Sequence, residues 1–177
     1  MNNVLAFWFG EAAQPFWFDK SDDFDAAIRT QFGPTWMQAK QGELAHWRSS
    51  IQGRLAEIIV LDQFSRNLCR HQAAAFAQDG MALVLAQEAV AHPDYAGLNG
   101  DQKRFVLMPF MHSESARIHE DAVRLFTALG DANTLDFELR HKAIVDRFGH
   151  YPHRNKALNR SSSEEEIAFL QEEGSSF

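Results

Sequence analysis

Imidazole and guanidinium groups crowd into one stretch of this chain. From Arg147 to Arg160, "RFGHYPHRNKALNR", stand Arg147, His150, His153, Arg154, Lys156 and Arg160 with no Asp or Glu among them, in a protein of formal charge −7. Arg154 offers a planar fork of donors matched to a carboxylate or phosphate, and Asn155 follows it. His153 has the unperturbed pKa of ~6.5 that suits a general acid or base. A second polar block, "MPFMHSE" at 108–114, holds His112, Ser113 and Glu114. A third, "LDQFSRN" at 61–67, holds Asp62, Arg66 and Asn67, with Arg70 one turn further. Together these types could clamp a small anion with Arg66 and Arg154, with His112, Glu114 or His153 moving a proton. The bland reading of the basic stretch is a solvated face balanced by the acidic tail at 164–173.

Helices must position these groups, since helical periodicity dominates and no segment alternates with the period of a strand. "SDDFDAAIRTQF" opens on Ser21 and acidic residues that suit a helix N-terminus, and "GPT" at 33–35 is expected to break that helix. Further helices are expected at about 53–69, 78–91, 101–108, 113–129, 134–148 and 163–171, the last opened by a capping box of Ser163 and Glu166. Pro109 is expected to interrupt its helix and Ser113 to cap the next, leaving free N–H groups that attract anions. Short linkers and the absence of low-complexity sequence point to one all-α domain over residues 1–177, with seven or more helices.

At about 100° per residue, Phe137, His141, Ile144 and Phe148 form one stripe, and His112, Ala116, His119, Val123 and Phe126 another. Leu55, Ile58 and Ile59 share a face with Asp62 and Arg66. Each placement has an ordinary explanation: a core histidine bonded to a nearby carbonyl, or an i, i+4 ion pair worth ~0.3–0.5 kcal/mol. Three helices that each turn ionisable groups inward nevertheless point to one shared interior cleft, because buried charges cost several kcal/mol unless they pair or meet a ligand.

Composition narrows the classes. With 45% apolar and 23% charged residues the chain reads as a globular protein, and fifteen Phe and four Trp belong mostly to its core. An acidic balance argues against nucleic acid and membrane as partners, and no apolar run approaches the ~18 residues of a membrane span. A lone Cys69 and an N-terminus without leader features lead us to expect a cytoplasmic protein. His112–Ser113–Glu114 matches half of the zinc-deaminase signature, but P-C-x-x-C is absent. "ELAH" at 43–46 and "ELRH" at 138–141 have the spacing of di-metal bundles, which makes a metal-binding bundle a minor alternative. No nucleotide or dinucleotide fingerprint is present, and no cofactor is expected.

"FWFG" at 7–10, "LDQFSRN" at 61–67, "AFAQD" at 75–79, "MPFMHSE" at 108–114 and "RFGHYPHRN" at 147–155 resemble the bacterial domain-of-unknown-function family 924 over nearly the whole chain. The resemblance implies an all-helical fold with tetratricopeptide-like antiparallel helix pairs, and it implies no reaction. Its signature blocks fall at Asp62, Gln63, Arg66, Asn67, His112, Ser113, Glu114, His153, Arg154 and Asn155. His150 and Tyr151 stand where Arg and Phe are usual, and Asn159 where Gly is usual. The expectation is a pocket in which Arg66, Arg70, His112, His141, His153 and Arg154 converge on a small phosphate- or carboxylate-bearing ligand, for hydrolysis or group transfer if the protein is an enzyme. The rival is a helical-repeat scaffold that binds a protein partner in an apolar groove.

Overall fold

A computed structural model describes residues 1–176. Eight α-helices run in order: α1 (Asn2–Trp8), α2 (Asp22–Lys40), α3 (Ile51–Leu68), α4 (Asp79–Val90), α5 (Gly100–Met111), α6 (Ala116–Leu129), α7 (Ala132–Phe148) and α8 (Glu164–Phe169). Short 3-10 turns join several of them, and the described residues contain no strand. No helix among them is long and apolar enough to cross a membrane.

The α3 helix is the axis of the fold. Every residue from Leu55 to Ser65 is buried, as its apolar residues on both sides require, and α1, α2, α4 and α5 pack around it. Its first turn lies so close to the preceding 3-10 turn that a Cβ on Gly53 would stand 1.8 Å from the Trp47 carbonyl oxygen, so only glycine fits. Trp8 of α1 inserts between Phe64 of α3 and Phe105 of α5, with ring centroids 5.7 and 5.3 Å away, both edge-on. Rings buried in this way contribute roughly 2–3 kcal/mol each. The α1 helix, not among those expected, is only seven residues long and has no side-chain cap to announce it.

Two prolines expected to stop helices do not. Pro34 lies inside α2, because the far half of that helix is fastened to α3 by buried Phe32 and Ala39 and by Trp36 Nε1 donating to Ser65 Oγ at 2.9 Å. Such packing outweighs the ~3 kcal/mol of an interior proline. Pro109 lies inside α5, where every residue from Phe105 to Met111 is buried. In consequence His112 caps the C-terminus of α5 and does not start α6. Ser113 caps no helix: its Oγ accepts from the Ser115 N–H at 3.2 Å. Glu114 lies in the connection, and α6 begins only at Ala116. No helix N-terminus therefore stands at Ser113 to attract an anion.

The remaining elements follow α5. Gly130 and Asp131 alone connect α6 to α7, which makes them antiparallel neighbours. The capping box of Ser163 and Glu166 opens α8. Arg147 and His150 reach that helix, Arg147 Nη2 lying 2.9 Å from Glu165 and His150 Nε2 lying 2.6 Å from Glu166. For these two residues the basic stretch is indeed a face balanced by the acidic tail. Asn159, where glycine is usual in the resembling family, has φ +53°, a left-handed conformation that asparagine tolerates better than most residues.

Candidate functional site

Segments far apart in sequence meet beside the C-terminus of α3. Asp62 and Arg66 come from α3 itself, Phe76 and Asp79 from the approach to α4, and His112, Ser113 and Glu114 from the α5–α6 connection. Tyr151, Arg154 and Arg160 come from the chain that follows α7. Arg66 Nη1 donates to Asp62 Oδ1 at 3.0 Å, and Arg66 grips Asp79 with both terminal nitrogens at 2.9 and 3.0 Å. Arg154 Nη1 reaches the same Asp79 at 3.1 Å, and its Nη2 donates to the His112 carbonyl at 2.9 Å. The Arg154 guanidinium is sandwiched between the rings of Phe76 and Tyr151, its central carbon 4.6 Å from each centroid. Arg160 holds both oxygens of Glu114 at 2.9 and 2.7 Å.

A cavity of about 470 Å³ opens over this cluster. Its lining includes the polar Asp79, His112, Glu114 and Arg160 and the apolar Phe76 and Leu83. His112 is the group there with unused capacity. Its Nδ1 lies 2.7 Å from Asp62 Oδ1. Burial alone would raise the Asp62 carboxyl, but Arg66 and His112 hold it well below the usual range, so it is ionised and can only accept. Nδ1 must therefore carry the proton. Burial and the neighbouring Arg66 push the His112 pKa down, which keeps the ring neutral. Its Nε2 is then a lone-pair acceptor, and no group among the described residues bonds it.

The charges of the cluster cancel. Arg66, Arg154 and Arg160 are matched by Asp62, Asp79 and Glu114, so the protein supplies from within the negative groups that were expected of a ligand. Glu114 also accepts the Tyr151 N–H at 3.0 Å. Burial opposes its ionisation, but Arg160 and that N–H bring its pKa below the ordinary value, which suits it to an ion pair and not to a general acid.

Not every expected residue joins the cluster. Arg70 and Asn67 turn to the other side of α3, where both bond Asp25 of α2: Asn67 Nδ2 donates to Oδ1 at 2.8 Å, and Arg70 donates to both oxygens. The i, i+4 placement of Arg70 behind Arg66 is right, but the chain has left the helix at Cys69 and the two side chains diverge. His141 is buried, bonds the Phe137 carbonyl at 2.7 Å and packs edge-on to Tyr151 at 5.7 Å between ring centroids, without lining the cavity. His153 lies against the Tyr151 ring at 5.5 Å, also outside the cavity lining. Burial lowers their pKa values to about 3 and about 4, so neither is protonated near neutrality. Asn155 is buried and donates to Ser162 Oγ at 3.0 Å, fastening its own loop.

On α7, His141 and Ile144 of the expected stripe are buried, but Phe137 is 37% exposed and Glu138 is fully buried against His119. No group of three or more His, Cys, Asp or Glu among the described residues is arranged to hold a metal ion. The E-x-x-H pairs do not meet, since Glu43 and His46 are exposed at a surface turn while Glu138 bonds His119. Asp79, Tyr151 and Phe76 were not among the expected site residues. Asp79 and Phe76 lie within the quoted "AFAQD" block, which was the available signal.

The family model described as a bacterial protein of unknown function (DUF924) matches residues 4–174. No curated protein matches. The solved structure of the protein of unknown function ATU0120 from Agrobacterium tumefaciens is similar, with 32% identity, 96% of each chain covered and a TM-score of 0.91.

Proposed function

Because the chain belongs to this bacterial family of unknown function, whose description carries no reaction, we propose from the site alone that the cleft binds a small phosphate- or carboxylate-bearing molecule and that His112 acts on it as a general base. One observation carries this reading: a neutral imidazole oriented through Nδ1 by an ionised Asp62 and left with a bare Nε2 in a cavity wall. That is the arrangement in which histidine removes a proton from a water or hydroxyl nucleophile. Hydrolysis or group transfer is the reaction class that follows.

The anionic end of the ligand goes to Arg160. Of the three guanidinium groups it is the most accessible, its side chain 38% exposed against 21% for Arg66 and 6% for Arg154. A ligand anion takes the place of Glu114 there, so binding is modest in affinity and weakened by salt. The apolar side chains of Phe76 and Leu83 receive the body of the molecule. We further propose that α2 to α7 stack as tetratricopeptide-like pairs of antiparallel helices, which the short connections support. A cytoplasmic location is supported by the single buried thiol, Cys69. The scaffold reading has less support, since the exposed large apolar side chains, such as Phe18, Val84 and Ile167, belong to separate elements.

Native mass spectrometry of gently purified protein tests this reading. A small-molecule adduct that disappears in His112→Asn or Arg160→Ala is the expected result. A co-purified protein with no small molecule would favour the scaffold.

A further inference from the structure

Three consecutive carbonyl groups bracket His112, and each is held by a side chain from elsewhere. The Met111 carbonyl accepts from the Tyr151 hydroxyl at 2.6 Å, the His112 carbonyl from Arg154 Nη2 at 2.9 Å, and the Ser113 carbonyl lies 2.9 Å from His119 Nε2. Met111 and His112 close α5, which leaves their carbonyls without intrahelical partners, and Ser113 lies in the connection just beyond. Solvent would ordinarily take them; here the interior does. We infer that His119, backed by Glu138, is a positioning residue for His112, and that the Tyr151 hydroxyl reinforces it.

Hydrogen-bond logic fixes how the chain of contacts works. The Ser113 carbonyl only accepts, and the Tyr151 hydroxyl gives its proton to Met111, so His119 Nε2 must carry hydrogen. That N–H serves Ser113 and also lies 3.1 Å from the Tyr151 oxygen. His119 Nδ1 faces Glu138 Oε1 at 2.7 Å, with both side chains fully buried. One more proton sits between them, on the carboxyl or on the ring, and either way the pair is neutral and its orientation is locked. Glu138 thus sets the direction of the His119 ring, the ring holds the Ser113 carbonyl, and the 111–113 backbone aims the His112 imidazole at Asp62. The Tyr151 N–H on Glu114 secures the next residue.

This inference rests on the proposed role of His112, but its test needs no ligand. In protein with 15N-labelled histidines, the Nδ1–H of His112 should give a single-tautomer, slowly exchanging signal. Glu138→Ala and His119→Asn should each speed its exchange by about tenfold, the equivalent of one lost hydrogen bond, and mix its tautomers. Glu138→Gln, which can still donate to Nδ1 of His119, should leave the signal as in the parent. Tyr151→Phe, close in shape, should give a smaller change in the same direction. If Glu138→Ala and Tyr151→Phe fold and the His112 signal is unaltered in both, His119 and Tyr151 are packing residues only and the inference falls. If His119→Asn does not fold, the contrast between Glu138→Ala and Glu138→Gln decides. An absent small-molecule adduct in native mass spectrometry would instead overturn the proposed function and leave the coupling intact.

Discussion

Nδ1 of His112 lies 2.7 Å from Oδ1 of Asp62, fifty positions earlier in the chain. The carboxylate dictates which ring nitrogen is protonated, and so decides that the other one is a base. Asp62→Asn should reverse this by offering an N–H to the ring. It also removes one of the two carboxylates that pair with the half-buried Arg66, so a loss of about 2–3 kcal/mol in urea unfolding is expected. The His112 tautomer, read from its 15N shifts, should move from Nδ1–H to Nε2–H.

Arg154 was expected from its fork of donors to grip a ligand. Its edge is occupied by Asp79 and the His112 carbonyl, and both faces by aromatic rings. Arg154→Ala should therefore cost about 2–4 kcal/mol of stability. Arg154→Lys should recover less than half of that, because a lysine ammonium has neither the fork nor the flat face. A change in melting temperature no larger than that of an exposed arginine would contradict the sandwich.

Glu114 competes with any anion for Arg160. Glu114→Gln removes the competing charge, and binding of inorganic phosphate should tighten by about tenfold. Chemical-shift titration measures this directly. Weaker or unaltered binding would mean that Arg160 is not the anion contact.

A buried histidine, His141, and a half-buried one, His153, should make the fold acid-sensitive. In the unfolded chain His141 and His153 take up protons near pH 6.5; in the folded protein they do so only at about 3 and about 4. Their contribution is complete above pH ~6.5 and is lost as the pH falls, by at most ~1.4 kcal/mol per pH unit for each histidine. Glu138, pushed up by burial, acts in the opposite sense: its penalty grows as the pH rises from its unfolded value of ~4.5 through its raised folded value, so it offsets part of this loss. Urea midpoints should therefore drop between about pH 7 and about pH 5, and His153→Gln should flatten the slope.

Gly80 lines the cavity from the first turn of α4, and a Cβ there would meet nothing within 4 Å. Gly80→Leu should fill the cleft without touching Asp62 or His112. Stability should stay level or rise by about 0.5–1 kcal/mol, since glycine is a poor helix former. Retention of the small molecule in native mass spectrometry should be lost. A retained adduct would place the ligand elsewhere.

Helix identities were legible because their causes are local. Ser21 and Ser163 cap, Gly130 and Gly149 turn left-handed, and the apolar run around Ile58 cannot be exposed on any side. The polar blocks of the site were legible as unusual groups in sequence. The partners were not. Nothing near Arg154 says that Asp79 will neutralise it or that Tyr151 and Phe76 will cover its faces, and nothing near His119 names Glu138. Periodicity placed Phe137 inward, but the buried face of α7 runs through Thr134, Glu138, His141 and Val145, where α6 supplies His119 to the Glu138 carboxyl. Pro34 and Pro109 failed as helix stops for the same reason, since burial of their helices against α3 and its neighbours exceeds the loss of one backbone hydrogen bond. Sequence alone determined which segments are helical and which residues carry charge. Tertiary structure decided which charges cancel and which nitrogen of His112 is left bare, because those outcomes depend on contacts between residues tens of positions apart.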